Sequence, residues 1–296
     1  MSQSALPGPS AVPPVRPRGV RLPPAAVSVG AAVTSVAERL RLPFAGDARA
    51  LVRRNEVRRH PVWSEPPLEV SGLPVLLVGG MLTAPPVMLS VMQDWLRQLG
   101  AEPVIAPTRL GVSCGEDGAR AVSDWINRLA DDSGQRPAVI AYSRGGQFAR
   151  AATVRNPGLV RSLITLGSPL AHLTGVHPLL RLEIYALGVA GTLGFPGLFR
   201  AQCLWGECCR QLRADIAGPF PESIPFLSVY SRTDEMVAWQ SCLDPASRPH
   251  EVTSSHGGLV ADPAVFSIIA AELRAVLAGQ ALGLSPAAEP DAPAVA

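Results

Sequence analysis

Pro137-Ala138-Val139-Ile140-Ala141-Tyr142-Ser143-Arg144-Gly145-Gly146 is the stretch that decides the fold. A short, partly β-branched apolar run ends abruptly at a serine and two glycines. Helical spacing then takes over from Gln147 to Arg155 and stops before Pro157. Strand, sharp turn and helix in that order expose the serine at the end of a strand. The pattern is G-x-S-x-G with Ala141 in place of the first Gly. A turn this tight needs small residues two before and two after the serine. A serine that only capped a helix would not need Gly145-Gly146. Ser143 is therefore the candidate nucleophile.

The same alternation extends in both directions. Val75-Leu76-Leu77-Val78 reads as a buried strand ending at Gly79-Gly80, and residues 87–99 follow with apolar positions three and four apart, stopped by Gly100. Pro103-Val104-Ile105-Ala106 is a second strand, and residues 119–129 form a helix carrying Val122, Trp125, Ile126 and Leu129. Ser162-Leu163-Ile164-Thr165-Leu166, Pro225-Phe226-Leu227-Ser228-Val229-Tyr230 and Glu251-Val252-Thr253 supply three more strands, and residues 263–277 a last helix. Six strands with intervening helices predict an α/β fold with an open, mostly parallel sheet. Such sheets take ligands beyond the carboxyl ends of their strands.

Composition agrees with a folded chain. Of 296 residues 47% are hydrophobic and 17% charged, the reverse of a disordered balance. The formal charge of +2 gives no cationic field for nucleic acid, although all of the basic residues are Arg. Mean hydropathy is +0.22, but no apolar stretch reaches the ~20 residues of a membrane span. No signal-peptide pattern is visible, so the expected location is the cytoplasm. Residues 1–24 and 280–296 are Pro-rich or low in pattern and read as disordered tails around a domain at 25–279. No signal for oligomeric state is present.

A serine hydroxyl needs a base, and the base needs an orienting carboxylate. Two later strand ends offer them: Asp234 in Ser231-Arg232-Thr233-Asp234, with Glu235 as competitor, and His256 in Ser254-Ser255-His256-Gly257-Gly258. His60, His172, His177 and His250 sit in contexts that read as structural. Attack on a carbonyl also makes an oxyanion, which needs two preset backbone donors. These are the N–H of Arg144, next after the serine, and that of Met81 in the loop after the first strand. Neither phosphate-loop pattern is present, so no nucleotide or other cofactor is expected.

The elbow, the Gly79-Gly80 loop and the Ser-Asp-His order together resemble the α/β-hydrolase superfamily, in particular lipase-like and esterase-like members from actinobacteria. The resemblance spans roughly residues 70–278. It departs at Ala141 and at Gly79, where many lipases carry a His that braces the oxyanion loop. It implies a serine hydrolase of carboxylic esters acting through an acyl-serine intermediate. Acyl transfer or thioester cleavage would use the same residues, and a non-catalytic binding protein of the same fold would be expected to have lost one. It also implies that residues 170–222, apolar and interrupted by Gly188, Gly191 and Gly194, form a cap or lid. Glycines cost a helix about 1 kcal/mol each, so the segment should be readily displaced.

The five cysteines (114, 203, 208, 209 and 242) are too few and too uneven in number for a disulfide framework. Cys203-x4-Cys208-Cys209 lacks CxxC spacing and a nearby His. It reads as buried thiols rather than a metal site, with one bridge to Cys242 open. No metal is expected, and activity should survive reductant.

Overall fold

Six strands pair into one open, fully parallel sheet in the computed structural model, which describes residues 56–65, 70–81, 89–171 and 175–279. The expected tails at 1–24 and 280–296 lie outside those residues. The strands are β1 (Pro74–Val78), β2 (Glu102–Ile105), β3 (Ala138–Tyr142), β4 (Ser162–Leu166), β5 (Phe226–Ser231) and β6 (Arg248–Val252), in the order β2-β1-β3-β4-β5-β6. The helices are α1 (Ser90–Gln98), α2 (Gly115–Ser133), α3 (Gly145–Arg155), α4 (Pro178–Thr192), α5 (Arg210–Ala217) and α6 (Pro263–Leu277), with single turns at Pro61–Ser64 and Gln202–Trp205.

Period-two alternation divides the core. Val75, Leu77, Ile140 and Ile164 face α1 and α6, where Trp95 stacks on Phe266 with centroids 4.7 Å apart. Leu76, Val78, Val139 and Leu163 face α2 and α3. Strands β1, β3, β4 and β5 are buried along their whole length, which is why they read as continuous apolar runs. The chain winds from β1 outward to β2 and then resumes on the other side of β1 with β3. That reversal opens a crevice at the carboxyl ends of β1 and β3, where sheets of this kind take ligands.

Several element boundaries differ from the sequence reading by one to four residues, and two of the differences have a clear cause. β6 starts at Arg248 because its first four side chains lie on an exposed edge and carry no apolar signal; His250 therefore sits within the strand, not before it. α2 starts at Gly115, since its early glycines answer to packing: a Cβ at Gly118 would come within 2.9 Å of Phe148, and one at Gly115 within 2.5 Å of Leu212.

One buried ion pair ties the connection between β5 and β6 to the helix behind Ser143, and the same arginine reaches the insertion between β4 and β5. Arg150 of α3 donates to Asp244 at 2.5 Å, both side chains being 3% exposed, and its other nitrogens donate to the Asp215 and Gly218 carbonyls. Removing one member leaves the other charged and dry. Arg150→Met should lose about 3–5 kcal/mol in urea unfolding, and Arg150→Met with Asp244→Leu should recover much of it. A single variant of near-native stability would show the pair to be dispensable. Among the described residues no helix is long and apolar enough to cross a membrane.

Candidate active site

Ser143 stands where β3 turns into α3, and it carries φ +54°, a left-handed conformation that few non-glycine residues adopt. The glycines after it follow from close approach. A Cβ at Gly145 would lie 2.6 Å from the Gly79 carbonyl oxygen, and one at Gly146 2.2 Å from Ser168 Oγ. The elbow and the Gly79-Gly80 loop thus share backbone contact in the crevice between β1 and β3.

The chain brings three of the sequence-predicted side chains into one line. His256 Nε2 lies 3.0 Å from Ser143 Oγ, and His256 Nδ1 lies 2.6 Å from Asp234 Oδ2. The imidazole and the carboxylate are 2% and 1% exposed. Asp234, rather than Glu235, is the carboxylate at the ring. Its Oδ1 accepts the backbone N–H groups of Met236 and Val237, each at 2.8 Å, so the carboxylate is held by three partners. The Tyr142 ring packs beside the imidazole, with centroids 4.9 Å apart.

Two residues that the sequence did not single out hold the loops in register. Ser231 Oγ accepts the N–H of Thr233 and of Ser254, both at 3.1 Å, and the Thr233 hydroxyl donates to the Ser254 carbonyl at 3.1 Å. The Asp234 loop and the His256 loop are therefore stitched together just before each functional side chain. Ser and Thr in a loop are too common for that role to be read from sequence.

Arg144 was singled out for its backbone N–H, but its side chain also has work. The guanidinium donates to the Gly111 carbonyl at 2.7 Å and lies over the rings of Phe148 and Phe199, at 5.3 and 4.8 Å. Gly111 in turn abuts Gly80 and Met81, where a Cβ would sit 2.7 Å from the Gly80 oxygen. The loop after β1 is thus braced by Arg144 and residues 109–111. Burial pulls the Arg144 guanidinium down to about 10, which leaves it cationic at neutral pH.

The remaining histidines divide as follows. His60 and His177 cap helical turns through Nδ1, accepting the N–H of Val62 and Leu179, and His172 lies outside the described residues. Cys242 packs with Val176, Leu180, Tyr230 and Val237, apart from the other four thiols. Those four include Cys114, which the sequence reading had left alone. The thiol of Cys209 points at Cys114 and pulls it down to about 5; the same contact pushes Cys209 up.

This is the α/β-hydrolase fold. A lipase of Bacillus licheniformis in its mature form superposes with a TM-score of 0.51 at 14% identity, over 70% of this chain and 95% of that one. One of two metagenome-derived lipolytic enzymes does so with a TM-score of 0.51 at 13% identity, over the same shares. At such identities the likeness is one of fold. No protein-family profile and no curated protein sequence matches the chain.

Proposed function

We propose that the protein is a serine hydrolase of carboxylic esters. The observation that carries the reading is the hydrogen-bonded line from Ser143 Oγ through His256 to Asp234 at the carboxyl ends of β3, β5 and β6. Ser143 Oγ attacks the ester carbonyl carbon while His256 Nε2 takes its proton. Asp234 holds the proton of Nδ1 and steadies the imidazolium. The N–H groups of Arg144 and Met81 donate hydrogen bonds to the developing oxyanion. His256 then returns its proton to the departing alcohol. Water, deprotonated by the same nitrogen, releases the acid from the acyl-serine. Labelling with a fluorophosphonate probe, followed by a chain-length series of p-nitrophenyl esters, tests the reading; an unlabelled, inactive wild-type protein would refute it.

The acyl preference is proposed from the insertion at 170–222, read as a lid. Helix α4 turns Leu180 and Ile184 toward the cluster that also holds Met81, beside the crevice. Leu182 on that helix, and Leu193 and Phe195 just past its end, are 64%, 76% and 62% exposed, so these side chains do not bury one another. Gly188 and Gly191 have a packing reason as well as a helix cost: a Cβ at Gly191 would sit 2.1 Å from the Phe199 carbonyl oxygen. Apolar area of this kind gains roughly 25 cal/mol per Å² on contact with an acyl chain or lipid. The enzyme should prefer medium or long acyl esters to acetate. Leu193→Glu or Phe195→Glu should remove that preference while sparing acetate hydrolysis. An enzyme fastest on acetyl esters, and indifferent to both changes, would show the face to be unrelated to substrate.

A further inference from the structure

We propose that Cys114, Cys203, Cys208 and Cys209 form a closed tetrahedral zinc site that fastens the β4–β5 insertion to the N-terminus of α2. The four Sγ atoms all lie within 4.8 Å of one another. Cys208 Sγ is 3.4 Å from both Cys114 and Cys203, and Cys114 Sγ is 3.6 Å from Cys209. A zinc–sulfur bond of about 2.3 Å sets the edges of a tetrahedron at about 3.8 Å, so these three separations lie within a few tenths of an ångström of it and the widest must close by up to about 1 Å. Because Cys208 is equidistant from Cys114 and Cys203, the four thiols form one connected cluster. All four are free.

The surroundings suit a thiolate-bound dication. Cys114 is the N-cap of α2, so one ligand is set at the positive end of that helix. Four thiolates and one zinc carry a net charge of −2. The Arg144 guanidinium, within electrostatic reach of Cys114, Cys203 and Cys209, opposes it, as does the positive end of α2. Ala119, Ala151, Leu212 and Ile216 wall the buried side at Cys209. The opposite side opens on a cleft of about 440 Å³ lined by Cys114, Cys203 and Cys208, which gives the ion a way in. On binding, zinc takes four sulfur lone pairs and the thiol protons leave to solvent. Four sulfurs fill its coordination, so the role is structural, with no position left for water or substrate. Cys114 arrives from far along the chain, which is why the Cys203-x4-Cys208-Cys209 spacing did not read as a metal site.

The full chain, expressed with zinc and purified under reducing conditions, should contain one zinc per molecule by elemental analysis. Exchange for cobalt should give the intense sulfur-to-metal bands of a tetrahedral tetrathiolate. A zinc chelator should lower the melting temperature and expose four thiols to alkylation. Cys208 is on the surface, so Cys208→Ser should fold, as circular dichroism would show, yet lose both the stoichiometric zinc and the cobalt bands. Reduced, zinc-supplied protein that holds no zinc would overturn the proposal. So would two disulfides among these four residues by mass spectrometry, or iron in place of zinc.

Discussion

Ser143→Ala should abolish ester turnover, with kcat falling on the order of 10⁶-fold, and should abolish fluorophosphonate labelling. Both effects follow from the loss of one oxygen, the atom 3.0 Å from His256 Nε2. The substitution is mild for the fold. Alanine keeps the Cβ that serine already presents at φ +54°, and the tight contacts of Gly145 and Gly146 with Gly79 and Ser168 are untouched. The melting temperature should therefore stay close to that of the wild type, which separates loss of chemistry from loss of structure. Labelling that persists in the Ala variant would place the nucleophile at another serine and remove the basis for the proposed activity.

What the sequence disclosed, and what it hid, divides along physical lines. β4 and α6 were legible to the residue, because both bury apolar side chains at their own period over their whole length. The strand ends that carry Ser143 and Asp234 were legible for the same reason, each following a buried run, whereas His256 was legible from its place beside Gly257-Gly258. β6 was half hidden because an edge strand facing solvent loses the alternation that marks a strand. The brace under the loop after β1 was not readable, since nothing local tells an Arg that props a neighbouring loop from one that is solvated. The Ser231 and Thr233 stitches and the contribution of Cys114 share that character. They depend on residues brought together from separate loops, and a spacing rule sees only neighbours along the chain.

Asp234→Asn should lower kcat by about 10⁴-fold, and the geometry says why so small a change does so much. The Oδ1 atom of Asp234 accepts two backbone N–H groups, from Met236 and Val237, while Oδ2 faces the imidazole. An asparagine in this place has one carbonyl oxygen and one amide nitrogen. The oxygen must serve the two backbone donors, because turning the NH₂ toward them would set donor against donor. The NH₂ is then aimed at His256 Nδ1, which has to become an acceptor. The ring proton moves to Nε2, and the nitrogen that should take the proton of Ser143 already holds one. The variant should fold normally and bind substrate as before, with the loss falling on kcat rather than KM. Glu235→Gln, one residue along, should be nearly silent, since it is Asp234 that meets the ring. Near-native kcat in Asp234→Asn, or the larger loss in Glu235→Gln, would mean that the imidazole is oriented by some other group and that the carboxylate at 2.6 Å is only its packing partner.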